Sequence, residues 1–404
     1  MKETLVRLVA AILIIPCFCL TAVADDSSWG QPIVEAVPTP SPPNIGAPSF
    51  ILIDIQSGNI IAQRNPHKKW EPASLAKMMT AYVVFREISA GHIALADEVT
   101  ISEKSWRAQG SRMFIEVGKQ VSVKQLLKGL IIQSGNDAAV ALAEHVAGDE
   151  DTFAQVMNQE AQRLDMNNTH YANSTGMPNS EMHSTAFDTA RLARAIITEH
   201  PEFYGWYSQR EFEYAGIVQH NRNRLLWRDK SVDGLKTGYT SSAGYNLATS
   251  AKRDGMRLIS VVLGTASEDA RAQQSHQLLN YGFRFFETHL LYKAQEQLGE
   301  ARTWKASEES LDLGIAEDLY LTIPRRERDN LSASVRLDDK IIAPISAGEK
   351  VGEIDISLGG EVIHTEPLIA LSDLNEGGLW RRLIDSLWLR LAGDLLPQRS
   401  TATP

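Results

Sequence analysis

Three short motifs follow one another in a fixed order along the chain: Ser74-Leu-Ala-Lys77, Ser134-Gly-Asn136 and Lys236-Thr-Gly238. Ser74 is the only serine with a lysine three residues later, and the third motif is the only Lys-Thr/Ser-Gly sequence. The second pattern is less specific, because Ser57-Gly58-Asn59 also matches it. A fold that uses all three motifs must bring distant segments into one site, and this requirement constrains the chain more than any other feature.

The sequence around each motif predicts its setting. Apolar residues at helical spacing follow Ser74, so we expect Ser74 at the start of a buried helix and Lys77 one turn along it. Ser134 and Asn136 fall between two helical patterns and are expected in a turn, and Lys236 is expected on a strand edge. One such motif alone is also compatible with a helix-capping serine or a solvated lysine. The ordered set indicates a serine acyl-transfer site.

The first two motifs carry the groups that such a site needs. A serine hydroxyl becomes an effective nucleophile only when a base takes its proton. Lys77 fits this role for Ser74 if burial or a second cation, here Lys236, lowers the pKa of its ammonium group. The Ser134 hydroxyl is suited to relay a proton to the leaving nitrogen, and the Asn136 amide to hold the substrate backbone or Lys77.

The third motif predicts recognition of an anionic substrate. Lys236 and Thr237 offer a positive charge and a hydroxyl to a carboxylate, and Gly238 permits close approach of the substrate. The backbone amides of Ser74 and of Tyr239, the residue after the motif, are expected to form the oxyanion hole.

The order of strand and helix patterns predicts the fold class of residues 48–287. Two apolar runs flank Ser57-Gly58-Asn59, which is therefore predicted as a hairpin turn and not as a catalytic motif. Helical patterns follow, and then short strands at 232–236, 245–251 and 257–263, with Asp254-Gly255 as a hairpin turn. This order is typical of an α/β/α sandwich around a mainly antiparallel sheet.

Residues 288–376 have a different pattern and are predicted to form a small all-β domain. Alternating apolar segments occur at 311–313, 319–323, 333–337, 340–343, 351–356 and 361–369. Gly359-Gly360 is predicted as one of the hairpin turns. We find no catalytic constellation in this part of the sequence.

Residues 377–397 are predicted to form an amphipathic membrane-anchor helix. Its apolar face carries Trp380 and Trp388, and arginines and aspartates lie opposite. The charges are too frequent for a span, so we expect the helix to lie in a membrane interface. The alternative is a helix that packs on its own domain.

The N-terminal residues predict export. Residues 1–24 combine basic Lys2 and Arg7, an apolar run and the small-residue site Ala22-Val23-Ala24, which is typical of a signal peptide; an uncleaved N-terminal anchor is the alternative. Both cysteines lie in this segment, so no disulfide or thiol chemistry is expected after cleavage. Residues 25–47 are rich in proline and serine and are predicted as a linker.

Composition excludes two other function classes. The 404-residue chain has a formal charge of −10 and no long basic run, which argues against a nucleic-acid partner. Its ten histidines show no His-Glu-x-x-His spacing, which disfavours a metal-dependent peptidase.

The motifs are those of the penicillin-binding proteins, and the chain resembles the D-alanyl-D-alanine carboxypeptidases of their low-molecular-mass class, in the serine β-lactamase-like superfamily. The resemblance extends to nearly the whole mature chain. It includes segments 131–139, 221–227, 232–238, 244–247, 257–264 and 281–287.

This resemblance implies a β-lactamase/transpeptidase-like fold and a cofactor-independent hydrolase. It would remove the terminal D-Ala from peptidoglycan stem peptides through an acyl-enzyme on Ser74, and β-lactams would inhibit it. The implied location is the periplasm, on the outer face of the cytoplasmic membrane. Arg271 matches an arginine that helps to bind the substrate carboxylate, although a solvated helix arginine is the alternative. Tyr239 departs from the His or Thr of many relatives, which bears on deacylation.

Three other enzymatic activities and one non-enzymatic role are compatible with the same fold. A DD-endopeptidase or a transpeptidase would share all the motifs. A class A β-lactamase would need a Glu-x-x-Leu-Asn motif, which is absent from the sequence. A non-enzymatic cell-wall scaffold would not need both Ser74 and Lys77.

Overall fold

The computed structural model describes residues 29–34, 37–337 and 340–391. The predicted signal peptide and the last residues of the predicted C-terminal helix, from 392 onward, lie outside the described residues.

The centre of the first domain is a five-stranded antiparallel sheet with strand order β2-β1-β9-β8-β7. The domain also has two small antiparallel sheets of two strands each, β3 with β4 and β5 with β6. The strands of this domain are β1 Ser49–Asp54, β2 Ile60–Arg64, β3 Glu98–Thr100, β4 Gln120–Ser122, β5 Glu211–Tyr214, β6 Ile217–His220, β7 Val232–Thr240, β8 Gly244–Arg253 and β9 Met256–Thr265.

Helices cover both faces of the central sheet. The α-helices are α1 Ala76–Ser89, α2 Glu103–Trp106, α3 Val123–Lys128, α4 Asn136–Ala147, α5 Glu150–Arg163, α6 Ala186–Glu199, α7 Pro201–Tyr204, α8 Leu225–Arg228 and α9 Glu268–Phe285. Short 3₁₀ helices occur at Ala73–Leu75, Gly205–Ser208 and Arg328–Asn330, and a wider π-helical turn occurs at Gly129–Gln133.

Alternate residues of β1 divide the core between the two faces. Ile51 and Ile53 pack with α1, α4 and α6, whereas Phe50 and Leu52 pack with α9. Side chains alternate across a strand, so an entirely apolar strand must be buried on both sides. The predicted α/β/α sandwich is therefore confirmed, and so is the Asp254-Gly255 turn, where both residues have positive φ.

The second domain is all-β, as predicted. One sheet has the order β14-β16-β17-β12-β11-β15, and β10 pairs with β13 in a second sheet. The sequence patterns missed β10 and β11. The strands are β10 Phe286–Tyr292, β11 Gly299–Trp304, β12 Ser310–Gly314, β13 Leu319–Pro324, β14 Leu331–Leu337, β15 Ile341–Ile342, β16 Lys350–Leu358 and β17 Glu361–Ala370.

A group of buried and half-buried hydroxyls connects the two domains at the Ser57-Gly58-Asn59 turn. The Ser57 hydroxyl lies 2.6 Å from that of Thr322, and the side-chain oxygen Oδ1 of Asn59 accepts from the Thr322 amide at 3.2 Å. Thr288 donates to the buried carboxylate of Asp54 at 2.9 Å. The turn therefore has a structural role at the domain contact.

The segment predicted as a linker is packed against the protein in its described part, which corrects that prediction. Trp29 is only 4% exposed, and Ile33 donates its amide to the carbonyl of Ile60 at 3.1 Å. Val37 packs against the core of the β domain, and the Tyr281 hydroxyl donates to the Pro40 carbonyl at 2.7 Å. Apolar residues spaced among the prolines provide contacts that a composition-based prediction does not take into account.

The C-terminal helix α10, Leu379–Leu391, attaches to the β domain through its polar side chains. Asp385 accepts from the Lys305 amide at 2.6 Å, Arg381 donates to the Glu308 carbonyl at 2.9 Å, and Arg382 pairs with Glu376 at 2.6 Å. Six apolar side chains of the helix are exposed, namely Leu379, Trp380, Leu383, Ile384, Leu387 and Trp388. Among the described residues, no helix is both long and apolar enough to span a membrane.

Candidate active site

Ser74 lies where the sequence predicts, in the tight turn Ala73–Leu75 directly before α1. Ala73 has a φ of +48°, a conformation that costs free energy for a residue with a side chain. Lys77 follows in the first turn of α1 and is 1% exposed. Its Nζ donates to the Ser74 hydroxyl at 3.0 Å and to the Thr175 carbonyl at 2.6 Å.

Burial lowers the pKa of Lys77 to about 7, although the charges of Asp137 and Glu150 oppose this change. Removing an ammonium group from water penalises the charged form. The neutral amine of Lys77 is therefore accessible near neutral pH and is placed to accept a proton from the Ser74 hydroxyl.

The second motif joins two helices. Ser134 follows the wide turn Gly129–Gln133 in a left-handed conformation, with φ +66°, and lies beside the cavity that contains Ser74. Asn136 is the first residue of α4, and its amide nitrogen donates to the carbonyl of Gln109. In this structure, the Asn136 side chain therefore fixes the loop before Ser111.

The third motif lies on β7, the edge strand next to the Ser74 turn. A Cβ atom on Gly238 would lie 3.2 Å from the Ser74 nitrogen and 2.9 Å from the Pro72 carbonyl oxygen, so a side chain would crowd the turn. Lys236 is buried, and its Nζ donates to the Thr237 carbonyl at 3.2 Å. Burial, then the neighbouring charge of Lys77, holds the pKa of Lys236 well below its ordinary value.

The motifs meet at a cavity of about 270 Å³. Its lining comprises Ser74, Ser111, Ser134, Arg222, Thr237, Gly238, Tyr239, Tyr245, Glu268 and Arg271. The buried Arg271 donates to the Gly238 carbonyl at 3.1 Å and to Glu268 at 3.1 Å. Burial lowers the pKa of Arg271 to about 10, so the guanidinium stays charged near neutral pH. The cavity is suited to the anionic end of a substrate.

Sequence reasoning singled out Tyr239 and Arg271 in this lining but missed Ser111, Arg222, Tyr245 and Glu268. The Tyr239 and Tyr245 rings lie 4.3 Å apart, and the Arg271 guanidinium carbon lies 5.6 Å from the Tyr245 ring centre. Tyr239 and Tyr245 are cross-strand neighbours of β7 and β8. The sequence analysis predicted both strands but not their pairing, so the neighbouring position of the two tyrosines is known only from the structure.

Sequence reasoning also missed the loop that contacts Lys77 from outside the motifs. Asn173 holds this loop by accepting from the Thr175 hydroxyl and the Gly176 amide, both at 2.8 Å. A Cβ atom on Gly176 would lie 1.8 Å from the Ala73 carbonyl oxygen, and its φ is +79°. Only glycine therefore fits against the turn that carries Ser74.

Family models match most of the chain. One described as D-alanyl-D-alanine carboxypeptidase matches residues 36–267, and one described as the C-terminal domain of penicillin-binding protein 5 matches residues 286–376.

Known proteins resemble the chain over most of its length. D-alanyl-D-alanine carboxypeptidase DacC of Escherichia coli K12 is 42% identical over 356 residues, which cover 86% of this chain and 89% of that protein. DacA of the same organism is 39% identical over 391 residues, covering 95% and 96%. The crystal structure of penicillin-binding protein 5 from Haemophilus influenzae has a TM-score of 0.82 and 39% identity, and the match covers 84% of this chain and all of that one. With its buried Ser-Lys pair and both matched domains, the chain belongs to the D-alanyl-D-alanine carboxypeptidase family, within the low-molecular-mass penicillin-binding proteins.

Proposed function

We propose that this protein is a serine DD-carboxypeptidase that removes the terminal D-Ala from peptidoglycan stem pentapeptides through an acyl-enzyme on Ser74. The observation that carries the proposal is the 3.0 Å contact between Lys77 Nζ and the Ser74 hydroxyl beside a cationic cavity. Family membership supports the same reaction.

The proposed reaction has two halves. Neutral Lys77 takes the Ser74 proton as the oxygen attacks the carbonyl of the penultimate D-Ala, and the amides of Ser74 and Tyr239 stabilise the oxyanion. The peptide C–N bond then breaks, Ser134 relays a proton to the departing nitrogen, and free D-Ala leaves. Water attacks the ester, the C–O bond to Ser74 breaks, and the serine regains its proton.

The substrate carboxylate is proposed to lie among the cations of the cavity. Lys236 supplies charge from the strand beside Ser74, and Thr237 supplies a hydroxyl. Arg271 adds a second charge, since it is held over Gly238 by its own hydrogen bond. A penicillin carries a carboxylate near its reactive carbonyl, so the same groups would bind it. Asn136 is proposed to hold the substrate backbone after it releases the Gln109 carbonyl.

Penicillin labelling and peptide cleavage test this proposal together. Penicillin is expected to add its own mass to a peptide that contains Ser74, and Ser74→Ala is expected to abolish that labelling with an unchanged circular dichroism spectrum. A D-Ala-D-Ala peptide should release free D-alanine with water as the acceptor. Labelling of the Ser74→Ala variant would refute the role of Ser74. Transfer to an added amine in place of hydrolysis would indicate a transpeptidase, cleavage of a cross-linked muropeptide an endopeptidase, and rapid penicillin turnover a β-lactamase.

We also propose that α10 anchors the enzyme on the outer face of the cytoplasmic membrane, after export directed by residues 1–24. The polar side chains of α10 are used by the β domain, which leaves its apolar face outward. Burying several large apolar side chains at about 1.5–3 kcal/mol each is ample for interfacial binding. A chain that ends at Gly378 should be soluble and active, whereas full-length protein should sediment with anionic liposomes. Full-length protein that stays in the supernatant would refute the anchor.

A further inference from the structure

Glu150 is the first residue of α5 and lies outside the three motifs. One of its carboxylate oxygens accepts from both the hydroxyl and the amide of Ser174, at 2.7 Å and 3.2 Å. The other lies 3.2 Å from Nζ of Lys104. The Glu150 side chain is 13% exposed, so water screens its charge only in part.

The Ser174–Thr175 segment connects Glu150 with Lys77. Thr80 of α1 donates to the Ser174 carbonyl at 2.6 Å, while the next carbonyl, that of Thr175, accepts from Lys77 at 2.6 Å. The carbonyls of Ser174 and Thr175 therefore both accept hydrogen bonds from α1, the helix that carries Lys77. Glu150 accepts hydrogen bonds from the same segment through Ser174.

We propose that Glu150 is a positioning residue for Lys77, because through Ser174 it fixes the backbone that presents the Thr175 carbonyl to the lysine. Its negative charge also favours the ammonium form of the lysine. This inference rests on the proposed role of Lys77 as the base. Direct contact with substrate is not part of the proposal, since Glu150 is not among the residues that line the cavity.

Charged groups from two other elements change the pKa of Lys77. Asp137 of α4 and Glu150 of α5 raise it against the effect of burial. Lys236 of β7 is a neighbouring cation, and the charge of Lys77 lowers the pKa of Lys236. Asp137 is already committed to the backbone, because its carboxylate accepts from the amides of Met113 and Phe114 at 3.0 Å and 2.9 Å. Glu150 is therefore the carboxylate that can be altered with less risk to the fold.

The test is the pH profile of penicillin acylation by the full-length protein. Glu150→Gln keeps an oxygen for Ser174 but removes the charge, so the acid limb of the profile should move to lower pH. Ser174→Ala keeps the charge but removes a hydrogen bond, so the limb should stay while the alkaline plateau falls by about fivefold. Glu150→Ala should show both effects, with a lower plateau than Glu150→Gln.

Asp151→Asn is the matched control, because Asp151 is an exposed carboxylate in the same first turn of α5. Its acid limb should coincide with that of the wild type. A Glu150→Gln limb that coincides with the wild type, or an equal movement in Asp151→Asn, would overturn the inference. If the wild type itself is not labelled on Ser74, the proposed function fails whatever Glu150 does, so the two failures are distinguishable.

Discussion

The active-site cavity and helix α10 both depart from the usual distribution of residues, in which charged side chains are exposed and large apolar side chains are buried. The cavity region departs from the first part of this rule, and α10 departs from the second. The cavity region buries the basic side chains of Lys77, Lys236 and Arg271, whereas α10 exposes Trp380 to 80%. Elsewhere in the described chain, the cores of both domains are mainly apolar. Both regions lie at places where we propose that a ligand binds.

This contrast indicates which kind of ligand would stabilise each region. Buried cations are destabilised by the loss of water, and an anion that enters the cavity restores part of their stabilisation. Exposed tryptophan and leucine side chains are destabilised by contact with water, and a lipid surface removes that contact. The first region is therefore suited to bind an anionic group, and the second is suited to bind a surface that excludes water.

The largest expected effect separates the two regions completely. Replacing Trp380 and Trp388 of α10 with serine should lower the partition coefficient onto anionic liposomes by at least about a hundredfold, because each burial contributes about 1.5–3 kcal/mol. Cleavage of a soluble peptide should not change. Trp106→Ser is the control, since Trp106 is an exposed tryptophan of the peptidase domain. Equal sedimentation of the wild type and of the Trp380/Trp388 double variant with liposomes would contradict the proposed role of α10.

The pH dependence tests the buried cations as a set. Acylation by penicillin should fall roughly fiftyfold from pH 7 to pH 5, because protonated Lys77, with a pKa of about 7, cannot take the Ser74 proton. A second decline should occur at higher pH, but below the ordinary titration range of a lysine, as Lys236 loses the charge that we propose binds the carboxylate. Stopped-flow acylation rates measure both limbs. A flat profile across this range would show that Lys77 is not the base.

Removing one cation should have a smaller effect than protonating the base. Lys236→Ala is expected to lower acylation efficiency at least about tenfold, because a charge-assisted contact contributes roughly 1.5–3 kcal/mol. Amidating the C-terminus of the substrate should reduce cleavage by the wild type far more than cleavage by the variant. Equal losses in the two proteins would refute carboxylate recognition by Lys236.

The smallest effect should come from the contact between the two domains. Thr322→Val replaces a buried hydroxyl near Ser57 and Thr288 with a methyl group of similar size. The free energy of unfolding should fall by about 1 kcal/mol, with acylation and liposome binding unchanged. Thr365→Val, at an exposed hydroxyl, is the control for chemical denaturation. A change in acylation would mean that the two regions are coupled.

Several elements were predictable because local chemistry determines them. Turns that need positive φ are marked by Asp254-Gly255 and Gly359-Gly360, and all four residues have it. The position of Ser74 before α1 follows from apolar periodicity, and so does a strand at Lys236, although the strand continues to Thr240 and its place at the edge of the sheet was not predicted. These features depend on neighbours within a few residues, which is the range over which sequence patterns carry information.

Features that depend on tertiary contact were not predictable in this way. The carbonyl of Thr175 contacts Lys77 across 98 positions of sequence, and a backbone carbonyl has no signature in the residue type. Glu150 and Ser174 are 24 positions apart and meet only because the domain folds. Likewise, the packing of Trp29 beneath Gly58 could not be read from a proline-rich segment.

Gly176 shows that a position can be irreplaceable without performing any chemistry. It donates nothing to the substrate in the proposed reaction, yet the smallest possible side chain would overlap the peptide that precedes Ser74. In a library of all single substitutions selected for penicillin binding, Gly176 should therefore be depleted as strongly as Ser74. Intolerance of substitution at such a position reflects the space around the turn that carries the nucleophile. A survey that assigns catalytic roles from intolerance of substitution alone would wrongly count Gly176 as a catalytic residue.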